Sequence, residues 1–210
     1  MAATADGERR QALADIVVHS RLADGTAVCL RTITPDDAPL LRAGIAALSA
    51  ESRYLRFFSP AKALPDAVIE RLVDVDGHDH IGWGALCAEC EGTPAIGAVH
   101  AVRMAGRSAT GGAMAEYSVA VADAFQGQGL GRMLTAALLI DCRAEGLETL
   151  DLHILSENVA AKHLVKALGA TWKGEAAGVT EYWLDIAGAL TALRGDDATR
   201  GVQDVFAQLM

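Results

Sequence analysis

The stretch Glu116–Leu139, E-Y-S-V-A-V-A-D-A-F-Q-G-Q-G-L-G-R-M-L-T-A-A-L-L, changes its hydrophobic period midway. Up to Ala122, Val119 and Val121 alternate with Glu116, Ser118 and Ala120, the two-residue period of a strand. From Leu130 onward, Leu130, Met133, Leu134, Ala137 and Leu138 recur at helical spacing, and Gly146 suits the helix C-terminus. The stretch therefore predicts a strand headed by one carboxylate, Glu116, then a glycine-rich turn, then a core-facing helix.

The turn is Gln126-Gly127-Gln128-Gly129-Leu130-Gly131-Arg132. Three missing side chains let backbone N–H groups approach a ligand closely, and the first helical turn adds unpaired N–H groups at the positive end of the helix dipole. That combination favours a phosphate or pyrophosphate. A P-loop is excluded because no Gly-Lys-Ser/Thr follows, and the dinucleotide fingerprint is excluded because Arg132 stands where its third glycine belongs. The spacing that fits is Gln-x-x-Gly-x-Gly, which resembles the acyl-CoA pyrophosphate loop of the GCN5-related N-acetyltransferases (GNAT).

The flanking chain agrees with one α/β (α+β) domain. Residues 1–14 read as a mobile start and residues 15–187 as the domain. Val17–Leu22 and Ala27–Thr32 flank Asp24-Gly25 as a hairpin, and Thr34-Pro35-Asp36-Asp37 opens a helix running to about Leu48. Ser49–Pro60, dense in aromatic residues, predicts a short helix ended by Pro60, with another over residues 65–75. Ile81–Cys90 and Ala95–Met104 predict a hairpin, and residues 105–112 a small-residue loop. Thr149–Leu155 alternates as a strand beyond a crossover helix, so it is expected parallel to the Glu116 strand. A helix from Ser156 buries Ala161, Leu164, Val165 and Leu168, and a final hairpin covers Thr171–Glu175 and Thr180–Ile186. Residues 188–210 read either as a tail or as a short helix used for self-association, which makes a homodimer one expected partner.

Composition narrows the function classes. With 18 basic and 27 acidic residues, the formal net charge is −9, which speaks against nucleic acid and anionic membranes and suits a cationic substrate. No apolar run is long enough to span a bilayer, and the first residues lack the apolar run of a secretory signal, so the cytoplasm is the expected location. Cys87 and Cys90 spell C-x-x-C, but at i and i+3 of an expected strand they face opposite ways, and they read as buried thiols. His78-Asp79-His80 lacks a third ligand in sequence, so no metal is expected.

The resemblance implies a GNAT fold: a mixed, mostly antiparallel central sheet of about seven strands, helices on both faces, and a parallel pair splayed at the acyl-CoA site. It implies acetyl-CoA as cosubstrate, with Gln126, Gly127, Gln128, Gly129, Leu130, Gly131 and Arg132 at its pyrophosphate. Backbone groups of Val119 and Val121 are expected to pair with the pantetheine arm. The run N-x-x-A…L-G-A is also similar to the family pattern, which gives Asn158 a pantetheine contact beside its capping role. Two further segments, Ser49–Phe57 and Ala115-Glu116-Tyr117, resemble the Pat-type protein lysine acetyltransferase branch.

Amine acetylation needs a base, because an ammonium of pKa about 10.4 must lose a proton before it attacks a thioester. Glu116, ten positions before Gln126, is the candidate general base. The family's tyrosine acid has no counterpart: the corresponding pair reads Leu164-Val165, so the acid is unassigned. The reading is direct acetyl transfer to an amine, a protein lysine in the first place. The alternatives are a small-molecule amine acceptor and a non-catalytic acyl-CoA-binding module.

Overall fold

The computed structural model describes residues 16–92, 94–108, 111–195 and 199–210. The expected mobile start, residues 1–14, lies outside the described residues.

Among the described residues, eight strands form one sheet: β1 (Val17–Arg21), β2 (Ala27–Thr32), β3 (His80–Cys87), β4 (Ala95–Arg107), β5 (Ala113–Val121), β6 (Leu147–Leu155), β7 (Thr171–Ala176) and β8 (Val179–Asp185). Their order is β1-β2-β3-β4-β5-β6-β8-β7, and every pairing is antiparallel except β5 with β6. Seven α-helices of the described residues accompany them: α1 (Ala38–Ala47), α2 (Ala50–Phe57), α3 (Asp66–Val73), α4 (Leu130–Ala144), α5 (Val159–Ala167), α6 (Ile186–Leu193) and α7 (Arg200–Leu209). The mixed sheet has eight strands where about seven were expected, and Glu116 is the fourth residue of β5 rather than its head, because β5 starts three residues earlier, at Ala113, directly after the expected loop.

The sheet separates its residues by alternation. Ile81, Trp83, Val99, Ala101, Ala115 and Tyr117 are buried in the core that also holds α4, and the Trp83 indole N–H donates to Asp141 Oδ2 on α4 at 2.7 Å. The opposite face carries Gly82, His100 and Ser118, aligned by register across β3, β4 and β5, with His80, Val102 and Glu116 as the next row. Helices α1 and α2 lie against β4 and β5, whereas α4 packs against β3 to β6, so both faces are covered.

Leu130, Met133, Leu134, Ala137 and Leu138 are all buried as their spacing predicts, but so are Thr135, Ala136, Leu139 and Cys142. A helix that is apolar nearly all round must be enclosed. Helices α6 and α7 enclose it: Leu190, Leu193, Val202 and Val205 join the core, and both helices contact α4. Of residues 188–210, the described ones hold the end of α6 and all of α7, both packed on α4.

The C-x-x-C expectation is corrected. β3 ends at Cys87, whose N–H donates to Pro94 O, and the chain turns before Cys90. The turn brings the two sulfurs together as a disulfide in place of two thiols on opposite faces.

Candidate functional site

The β5–β6 pairing runs from Ala113–Leu147 to Tyr117–Leu152 and stops, although β5 continues to Val121 and β6 to Leu155. Beyond that point each strand keeps only its antiparallel neighbour, β4 or β8, so a wedge opens between them. The Ala122 N–H donates to Ile96 O of β4. Successive residues of a strand turn their N–H and C=O to opposite edges, so Val119 and Val121 present theirs to the wedge. Consistently, Val121 O accepts from Gln126 Nε2 at 3.1 Å rather than from β4.

The glycine turn closes the wide end of the wedge. Gly127 and Gly129 have φ of 71° and 91°, conformations that favour glycine. The amides of Gly127, Gln128, Gly129, Leu130 and Gly131 have no intramolecular hydrogen-bond partner among the described residues. Helical bonding starts with Arg132 and Met133, both of which donate to Gly129 O. Arg132 Nε and Gln128 Oε1 are also buried without a partner among the described residues. Five free N–H groups and an orphaned guanidinium nitrogen fit an anionic pyrophosphate, and an acyl-CoA would supply one.

The turn is held from two sides. Gln126 Nε2 also donates to Ser52 Oγ at 3.2 Å, and Asp123 accepts from the Ser49 N–H, the Ser49 hydroxyl and the Ser52 hydroxyl at 2.9, 2.7 and 2.7 Å. Burial alone would push the Asp123 carboxyl up, but the donations from Ser49 and Ser52 outweigh it and hold the carboxyl below the usual carboxylate range. From β5, the Tyr117 phenol bonds Thr135 Oγ1 at 2.8 Å, and that hydroxyl donates to Gly131 O at 2.7 Å. Because threonine has one hydroxyl hydrogen, Tyr117 is the donor of its own bond. The strand of Glu116 is thereby pinned to the first turn of α4.

Glu116 is exposed on the α1–α2 face, directly opposite Val102 of β4. A cation the sequence reading did not assign, Arg56 of α2, interacts electrostatically with Glu116. It donates from Nη2 to Ser118 Oγ at 2.7 Å, and its guanidinium lies 4.8 Å from the Phe57 ring centroid. Burial pulls its pKa down to about 10, against the attraction of the Glu116 charge. Behind it, His100 Nδ1 lies 3.0 Å from His80 Nε2, and His80 Nδ1 lies 3.0 Å from Asp74 O. A carbonyl only accepts, so neutral His80 carries its proton on Nδ1 and receives the Nδ1 proton of His100 on Nε2. Burial, then the Arg56 charge, keep His100 well below the usual histidine pKa.

The sequence-predicted residues thus divide. Glu116, the Val119 and Val121 backbone, and residues 126–132 converge on one strand edge and one turn. Asn158 caps α5, its Oδ1 accepting from the Ala161 N–H at 3.0 Å. Leu164 faces the wedge as well: a Cβ added at Gly131 would stand 3.6 Å from Leu164 Cδ2 and 4.0 Å from Val121 Cγ2. Sequence reasoning missed Arg56, His80, His100 and the Ser49–Ser52–Asp123 clamp. The signals available were the Ser49–Phe57 stretch, which holds Ser49, Ser52 and Arg56, and His78-Asp79-His80, weighed only as a metal ligand set.

The Acetyltransferase (GNAT) family model matches residues 49–170, more than half of the chain. The Acetyltransferase Pat of Mycolicibacterium smegmatis is 33% identical over 157 residues, which are 75% of this chain but 45% of that protein. The chain therefore spans less than half of that relative. The Acetyltransferase PA5475 of Pseudomonas aeruginosa is 29% identical over 148 residues, 70% of this chain and 77% of that one. The GNAT domain of S. lividans PAT superposes with a TM-score of 0.70 at 28% identity, covering 80% of this chain and 96% of that domain. With the splayed parallel pair and the free-amide turn already in place, these likenesses settle the family: the chain belongs to the acetyltransferase (GNAT) family.

Proposed function

We propose that this protein is an acetyl-CoA-dependent N-acetyltransferase that transfers the acetyl group directly to a protein lysine, with Glu116 as general base. The observation that carries the reading is that one strand, β5, holds both halves of the chemistry. Its free edge offers the Val119 and Val121 backbone groups to a pantetheine arm, and its exposed face offers Glu116 to an amine. The glycine turn anchors the cosubstrate's pyrophosphate.

Glu116 takes the proton from the acceptor ammonium, directly or through water, and the freed amine attacks the thioester carbonyl. An N–H at the free edge stabilises charge as it develops on the carbonyl oxygen. The departing thiolate takes its proton from water, since Leu164 and Val165 stand where the family's acid is expected. Asn158 retains its side-chain amide nitrogen for the pantetheine arm while its oxygen caps α5. The acceptor face supports a lysine presented by another protein: Val102, Met104, Tyr54 and Phe58 are exposed large apolar side chains.

The test is release of CoA thiol from acetyl-CoA by wild type and Glu116→Gln, with a lysine-bearing protein and a panel of small amines offered in parallel. A general base contributes about 10² to 10⁴ in rate, so the variant is expected to lose that much turnover while binding CoA as before. Equal kcat in both proteins refutes the role of Glu116. Turnover with one small amine alone replaces the protein acceptor.

A further inference from the structure

We infer that the C-terminal helix α7 is a positioning element for the pyrophosphate turn, acting through β1 and α4; this rests on the reading of residues 126–132 as the acyl-CoA turn. Among the described residues, the turn has five amides without internal partners, so contacts from outside it must help fix its shape. One backbone bond reaches it from a distant element: the Ala23 N–H, in the β1–β2 turn, donates to Gln128 O at 3.2 Å.

Among the described residues, β1 is an edge strand bonded to β2 alone, and α7 covers its other edge. The Gln208 side chain imitates a neighbouring strand there. Its Oε1 accepts from the His19 N–H at 3.0 Å, and its Nε2 donates to His19 O at 2.9 Å. The Ser20 hydroxyl donates to Asp204 Oδ2 at 2.7 Å. The other side of α7 meets α4 one residue after Arg132: a Cβ at Gly201 would stand 2.6 Å from Met133 Sδ, so any larger residue there would force the Met133 side chain to shift. Thr199, which precedes α7, places its Oγ1 3.8 Å from the position of a Gly129 Cβ. One helix therefore fixes the strand whose turn bonds Gln128 and the helix whose first residues end the pyrophosphate turn. β1, β2 and α7 all lie outside the stretch matched by the family model.

A brace of this kind and the bound cosubstrate must favour one another equally, because binding coupling is reciprocal. The experiment uses the full chain and the double variant Asp204→Ala/Gln208→Ala, which leaves the core and the turn intact. CoA affinity by calorimetry, KM for acetyl-CoA, kcat, and amide exchange of α7 with and without CoA are measured. In the variant, Kd and KM are expected to rise about five- to tenfold, with kcat at saturation within about twofold. In wild type, CoA is expected to slow exchange across residues 200–209. A lowered Tm with unchanged Kd and KM overturns the proposal, as does α7 exchange indifferent to CoA. Wild type that binds no CoA overturns instead the reading of the turn on which the proposal rests.

Discussion

Gly131→Ala separates stability from ligand binding at the centre of the site. Gly131 is the second residue of α4 and has no positive φ, so alanine meets no backbone strain there. The added methyl finds Leu164 Cδ2 at 3.6 Å and Val121 Cγ2 at 4.0 Å, both ordinary contacts. Glycine in a helix is worse than alanine by about 0.8–1.0 kcal/mol, so the ligand-free variant is expected to gain up to about 1 kcal/mol. For a chain of this size, that raises Tm by about 2–4 °C. The same methyl, however, projects between the end of β5 and α5, into the gap assigned to the cosubstrate. Overpacking a well-fitted gap costs about 1–3 kcal/mol, or roughly 5- to 150-fold in affinity. The assays are a thermal melt without ligand and a calorimetric titration with CoA. Higher Tm with unchanged CoA affinity would refute the placement of the ligand in the wedge.

Asp123→Asn places an amide donor opposite the three donors of Ser49 and Ser52, and because the carboxylate is solvent-exposed the loss is expected to be at most about 1 kcal/mol. The folded pKa of Asp123 is depressed, so its contribution is present above the usual value of about 3.9 and is lost as pH falls through the lower folded value; urea midpoints of wild type and variant should converge there. His80 and His100 act at higher pH with the opposite cause. Both are held below about 6.5 by burial, so as pH drops beneath 6.5 the unfolded chain takes up protons that the folded chain refuses. Stability should fall by up to about 1.4 kcal/mol per pH unit for each histidine, and His100→Gln should flatten urea midpoints measured between pH 7 and 5.5. Arg53→Leu removes a buried guanidinium that donates to the carbonyls of Pro60, Ala46 and Leu48, leaving them unpaired at an expected cost of about 2–3 kcal/mol in urea unfolding.

The local parts of this fold were legible because each is written in a short period. The β1–β2 hairpin follows from Asp24-Gly25, the α4 stripe from its i, i+3, i+4 spacing, and the parallel partner of β5 from the intervening crossover. Errors arose where the local signal was weak but the long-range one decisive. Residues 188–210 carry few obvious core residues, yet α4 spells out its need for them: L-T-A-A-L-L-I-D-C is apolar on the side facing away from the sheet too, and a helix with two apolar sides implies a second layer. The C-x-x-C pair failed for a related reason. Alternation assigned the cysteines to opposite faces only on the premise that the strand continued, and Gly92 and Pro94 a few residues later already marked the reversal.

At the site, the division follows the distance over which a residue acts. Glu116 and the turn lie within sixteen residues of one another, and the chemistry proposed for them starts from order and spacing. Arg56 is 60 positions from Glu116, and His80 and His100 reach the same face only because β3, β4 and β5 are in register. Arg56 stands in the Ser49–Phe57 stretch and His80 in His78-Asp79-His80, but neither pattern gives its residue a role on this face, and His100 stands in no pattern at all. What singles them out is environment: a guanidinium pulled down to about 10 and an imidazole held neutral, one row from the only carboxylate on that stretch of β5. Polar groups so placed cost stability, which makes the Arg56–Ser118 bond and the His80–His100 pair expensive ways to build a sheet surface. Their cost has a use if the acceptor amine must meet Glu116 on a fixed, pre-ordered face. Arg56→Met should then lower kcat/KM for the acceptor at least about tenfold with KM for acetyl-CoA unchanged, a loss of about 1.4 kcal/mol. An unchanged acceptor kcat/KM would reduce Arg56 to packing.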